Sequence, residues 1–248
     1  MFLVYSCCRF VTRLLREPNF LYTFAPMNFI KKYTLGEEIT NSISHGVGVV
    51  MGLVVCIFFL VWGYSGGSAI AVFSLWLYMF GVVCSYLAST LYHACPASKV
   101  DSKALLRKFD HAAIYWHIAG SYSPITLIAM LSSGATVWAW AIFTFVWLSA
   151  IVGTALSFRK MKNYSFLETA CYVLMGLSIL VAFKPFYESV GLAVVLWVVA
   201  EGVSYIVGAV LYSLKRVRYM HSIFHGFVLL GDVFHIVALY KILDMFIG

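Results

Sequence analysis

The sequence predicts an all-α membrane protein, a bundle of seven transmembrane helices with its N-terminus in the cytoplasm and its C-terminus outside. Three observations carry that reading. Apolar residues make up 62% of the chain and charged residues only 11%, with a mean hydropathy of +0.92, whereas soluble domains carry about 25% charge. Seven apolar stretches are each near the roughly 20 residues that a bilayer core about 30 Å thick demands of a helix. Finally, fifteen of the seventeen Lys and Arg residues fall before the first stretch or on the even-numbered links. The positive-inside rule places those segments in the cytoplasm.

Residues 1–36 form a cytoplasmic extension and residues 37–248 the seven-helix domain. Within the extension, residues 1–26 mix Arg9, Arg13 and Arg16 with Phe2, Leu3, Phe10, Leu14 and Leu15, a basic and apolar pattern suited to a membrane surface. Met27 resembles a natural start, so residues 1–26 are expected to be dispensable. The spans then read as about 44–64, 69–92, 110–131, 135–157, 165–183, 189–212 and 222–246. Glu37, Glu38, Asn41 and His45 lead into the first. The second ends in Ser89-Thr90-Leu91-Tyr92-His93, and the third opens with Asp110-His111 and carries His117 and Pro124, which should kink it. Outer turns such as Tyr64-Ser65-Gly66-Gly67-Ser68 are short and flexible. The sixth span carries Glu201 with no evident basic partner. The seventh opens with His221-Ser222-Ile223-Phe224-His225 and continues with Asp232 and His235. Cys56, Cys84 and Cys171 fall within spans as small packing residues. Cys7, Cys8 and Cys95 lie on the reducing side, where disulfides are not expected.

The net charge of +7 would suggest nucleic acid in a soluble protein. Here the basic links suit anionic lipid head groups, so membrane lipids are the expected partners and nucleic acid is not. Oligomeric state is not legible in the sequence.

Ionisable residues inside a span are expensive and mark function by default. The topology brings Ser89, His93, Asp110, His221 and His225 to one leaflet. His221 and His225, four residues apart, share a helical face and can chelate one ion. Three imidazoles plus water match the open coordination of catalytic zinc, and a carboxylate beside them, Asp110, suits a general base. Each piece also has a plain packing reading. A His-x-x-x-His pair can be coincidental, Ser89 can bond its own helix backbone, and Asp110 can pair with Arg107 or Lys108. Deeper polar residues read either as a hydrated or proton-conducting path or as interhelical hydrogen bonds that fix packing.

Together these residues resemble the haemolysin III family, the bacterial branch of the adiponectin and progestin receptor superfamily. The matching pieces are Glu38 through Asn41 to Ser44-His45-Gly46, Ser89-x-x-x-His93, Asp110-His111, Gly120-x-Tyr122-x-Pro124, and His221-x-x-x-His225 followed by His235. The resemblance implies a zinc ion held by His93, His221 and His225, with Asp110 holding the zinc-bound water and Ser89 as a neighbouring polar group. It also implies hydrolysis of lipid amides such as ceramide, known for the receptor branch, and a link to membrane-lipid homeostasis or haemolysis, known for the bacterial one. The large cytosolic region typical of the receptors is lacking here, which argues against a hormone-receptor role. Three functions follow for testing: a zinc-dependent hydrolase of lipid amides or esters, a membrane-active or regulatory protein with structural zinc, and an ion or proton transporter drawing on Glu201, Asp232 and His235.

Overall fold

A computed structural model describes residues 33–159, 164–213 and 217–248, and all regular structure among them is helical. The extension ahead of Tyr33, with its proposed surface segment and second start, lies outside the described residues. Helix α1 spans Leu35–Gly66 and α2 spans Ala69–Ala94. Helix α3 covers Val100–Pro124 and runs on through a π-helical segment, Ile125–Met130. Then follow α4 (Thr136–Ser157), α5 (Tyr164–Gly176), a 3₁₀ segment (Ser178–Ala182), α6 (Phe183–Ser213) and α7 (Met220–Phe246).

Five helical stretches are long and apolar enough to cross a membrane: Leu35–Gly66, Ala69–Ala94, Thr136–Ser157, Glu168–Tyr212 and Met220–Phe246. The exterior is what lipid requires. On α1, Val47, Val50, Val54, Phe58 and Val61 are exposed, while Asn41, His45, Gly48, Gly52 and Cys56 are buried. An apolar outside around a partly polar inside reverses the soluble pattern. The chain is therefore a multi-pass membrane protein.

Neighbouring helices pack in chain order from α1 to α4, α6 lies beside α7, and α7 returns to α1. The π-helical segment sits centrally, touching α2, α4, α6 and α7, and all six of its residues are buried. Pro124 is thus absorbed as a change of helical pitch. Proline offers no N–H to close the preceding turn. Just past it, the Thr126 hydroxyl donates to the carbonyls of Tyr122 (2.9 Å) and Ser123 (3.1 Å). Helices α2 and α3 cross with their backbones almost touching. A Cβ on Gly120 would lie 2.8 Å from the Leu77 carbonyl and 3.1 Å from the Gly81 Cα.

The start of α1 is fastened twice. Thr34 and Glu37 form a capping box, the Thr34 N–H donating to Glu37 Oε2 at 2.8 Å. The other Glu37 oxygen accepts the Tyr219 N–H at 3.1 Å. Tyr219 caps α7 in the left-handed region, at φ 60°. The N-terminal ends of α1 and α7 are thereby held together, which places Glu38, Asn41 and Ser44 beside His221 and His225.

Candidate metal centre

His93 stands in the last turn of α2, and His221 and His225 in the first turns of α7. Nitrogens of the three lie within 4.8 Å of one another. His221 Nε2 is 3.0 Å from His93 Nε2 and 3.1 Å from His225 Nε2. His93 and His225 are almost fully buried, 2% and 1% exposed.

The surrounding hydrogen bonds favour one arrangement of the protons. His93 Nδ1 donates to Glu38 Oε2 at 2.7 Å, because a carboxylate only accepts. Asn41 Nδ2, at 3.5 Å from the same nitrogen, is too far away to compete. The Ser44 hydroxyl donates to the Asn41 carbonyl (2.9 Å), so at 3.0 Å it accepts from His225 Nδ1. A neutral imidazole carries one N–H. In neutral rings with that arrangement both Nε2 atoms present lone pairs to His221 Nε2, which holds at most one proton. At least one of the two short contacts sets lone pair against lone pair, an arrangement that a cation resolves. The spacing suits one, since two nitrogens each about 2.0–2.1 Å from a tetrahedral zinc stand roughly 3.3 Å apart.

Aromatic rings close the site. Tyr33 stacks on His221 with ring centroids 5.2 Å apart and meets His93 edge-on at 5.7 Å. Tyr212 of α6 lies 5.1 Å from His221, and Tyr92 lies 4.6 Å from His93. Burial, reinforced by the adjacent Tyr212, pushes the Tyr33 phenol far above its usual pKa, so it remains a neutral hydroxyl.

Ser89 is buried one helical turn from His93. Asp110 is half-buried on α3, within electrostatic reach of Tyr33 and Tyr92, and is outside the three-histidine group. His111 turns elsewhere. Its Nδ1 donates to the buried Glu168 of α5 at 2.8 Å, and Ser157 of α4 donates to the same carboxylate at 3.2 Å.

The deeper polar residues form interhelical ties. Asp232 accepts from His117 Nε2 (3.0 Å) and from the hydroxyls of Tyr86 and Tyr205, joining α2, α3, α6 and α7. Glu201 does have a basic partner, His235 Nδ1, at 2.9 Å. Two helices had to be docked before that pair could be seen. His45 stacks on His225 with centroids 3.4 Å apart, and Tyr86 meets its ring edge-on at 5.0 Å.

Sequence reasoning assigned no role in the centre to Glu38, Ser44, Tyr33, Tyr212 or Lys103. A signal existed for the first two: Glu38, Asn41 and Ser44 recur at spacings of three and share one face at the polar start of an otherwise apolar helix.

A family model described as Haemolysin-III related matches residues 33–236. The "Hemolysin-3 homolog" of Bacillus subtilis (strain 168) is 33% identical over 201 residues, covering 81% of this chain and 91% of that protein. "Hemolysin-3" of Bacillus cereus is 34% identical over 199 residues, 79% and 87% of the two chains. The human "Monocyte to macrophage differentiation factor" is 26% identical over 241 residues, 92% and 93% of the two chains.

Proposed function

The chain belongs to the haemolysin-III related family, and we propose that within it this protein is a seven-span, zinc-dependent hydrolase of lipid amides or esters. The observation that carries the reading is the convergence of two imidazole Nε2 atoms on a third, with each of the two rings hydrogen-bonded at its Nδ1 to a partner from α1. Bundle packing does not call for such a contact, whereas a metal ligand set does.

The span count rests on two further points. Glu168–Tyr212 is 45 residues long, about 68 Å as one helix at 1.5 Å per residue, and so long enough for two crossings of a core about 30 Å thick. It breaks at Gly191, whose φ of 70° and ψ of 175° are open to glycine. Helix α3 with its π-helical extension, buried among α2, α4, α6 and α7, supplies another crossing despite its polar residues. With the N-terminus cytoplasmic, as the basic links favour, the histidines lie near the inner leaflet.

When bound, zinc would act as a Lewis acid on the substrate carbonyl and on the attacking water. His93, His221 and His225 would hold it. Asp110 takes a proton from water as its oxygen bonds to the acyl carbon, then returns it to the leaving nitrogen or oxygen as the C–N or C–O bond breaks. Ser89 offers a hydroxyl to the substrate's polar group. The rings of Tyr33, Tyr92 and Tyr212 restrict water. On this reading the protein serves membrane-lipid homeostasis.

The test is release of free fatty acid from long-chain amides and esters in proteoliposomes of zinc-loaded protein. Wild type should hydrolyse one of these classes. Asp110→Asn should lose at least about 10²-fold in rate, the usual share of a general base, while keeping its metal. The names of the bacterial relatives favour a second reading, membrane lysis with structural zinc. Dye release from vesicles that survives Asp110→Asn, with no hydrolysis by wild type, would establish that alternative.

A further inference from the structure

Resting on the zinc reading above, we propose that Lys103 and Glu38 are positioning residues for the metal centre, a buried relay that holds His93 by both its ring and its backbone turn. Lys103 belongs by sequence to a basic link, where its charge would serve topology and lipid head groups. The structure places it elsewhere: its side chain is 3% exposed.

Its position in its own helix is unfavourable. It stands in the first turn of α3, where the helix dipole disfavours a cation. What it reaches accounts for that. Its Nζ donates to the carbonyls of Tyr92 (3.2 Å) and Cys95 (2.9 Å) at the C-terminal end of α2, where the Tyr92 carbonyl otherwise holds only a long bond of 3.4 Å from the Cys95 N–H. The same nitrogen lies 2.8 Å from Glu38 Oε1. The other Glu38 oxygen accepts the His93 Nδ1 proton at 2.7 Å. One ammonium thus pins the turn that carries His93 and the carboxylate that orients its ring. The three groups come from α1, α2 and α3, so the relay forms only when those helices are docked. A carboxylate behind a ligating imidazole fixes its tautomer and raises its basicity; here the carboxylate is itself fixed.

Zinc affinity of the full-length protein in detergent, read by chelator competition, tests the proposal. Glu38→Gln and Lys103→Met should each weaken binding by about 10- to 100-fold. The double variant should be little worse than the weaker single, because the two act in series. Lys103→Arg should restore part of the loss, and Lys99→Met, an exposed neighbour, should change nothing. The visible spectrum of cobalt-loaded Lys103→Met should differ from wild type, reporting a displaced ligand. Wild-type affinity in Lys103→Met, with a loss only in the thermal stability of the metal-free protein, would show a mere helix-end tie and overturn the proposal. Multiplying losses in the double variant would also overturn it. Should Lys103→Met fail to fold, Lys103→Arg and Glu38→Gln decide alone, and unchanged affinity in both refutes the relay. A wild type that takes up no zinc defeats the zinc reading and this proposal together.

Discussion

At the scale of single residues, the hydrogen-bond partners of the histidines matter more than their number. Ser44 fixes His225 by accepting its Nδ1 proton, and it does not touch the proposed ion. Ser44→Ala should therefore retain the fold and lower zinc affinity by about tenfold, the smaller effect expected of an outer partner; titration against a chelator measures it. The grouping of the three histidines was legible because His221 and His225 share a face at i, i+4, and because span order brings His93 to the same end of the bundle. Their partners were not. Glu38 and His93 are 55 residues apart and Ser44 and His225 are 181 apart, and no local periodicity reports which side chain meets which across docked helices. Lys103 was misleading for a physical reason, since a basic residue on a link has the same signature whether it faces lipid head groups or turns inward.

At the scale of helices, the bundle is set by close approach and by a buried carboxylate. Gly81 and Gly120 let α2 and α3 cross backbone to backbone, as small residues do in membranes. Gly120→Val should destabilise the protein by about 1–3 kcal/mol through overpacking, seen as a lower thermal midpoint in detergent with zinc present. Asp232→Ala strips partners from His117, Tyr86 and Tyr205. Its expected cost is about 1–3 kcal/mol for each donor left unpaired, and a melt that matches wild type would contradict the structural role given to this carboxylate. Pro124 marked the irregularity in α3 correctly, yet its form could not be read. Proline shows that a helical hydrogen bond is missing, while the choice between a kink and a π-helical turn depends on hydroxyls such as Thr126 and on packing from four other helices. The break at Gly191 lies within the sixth expected span, about 189–212, two residues past its start. It needs the φ of 70° to be seen, since Gly202 and Gly208 in the same helix cause no such break.

For the molecule as a whole, composition and the distribution of charge carried the membrane assignment. The burial of Asn41, His45, Asp232 and His235 behind exposed valines and phenylalanines accords with it. The proposed orientation rests on the fifteen basic residues that the expected spans gather on one side. Single cysteines placed at Ser132 and Ser98 in a cysteine-free background should be labelled from opposite sides of intact cells, Ser132 from outside; the reverse pattern would invert the topology and move the histidines to the outer leaflet.

The metal centre is tested most directly by elemental analysis of the metal content of detergent-purified protein, prepared without chelators and resupplied with zinc. Wild type should carry about one zinc per chain, and His221→Ala and His225→Ala, still folded by circular dichroism, should carry essentially none. Folded wild type without metal, or histidine variants that keep it, would contradict the central claim.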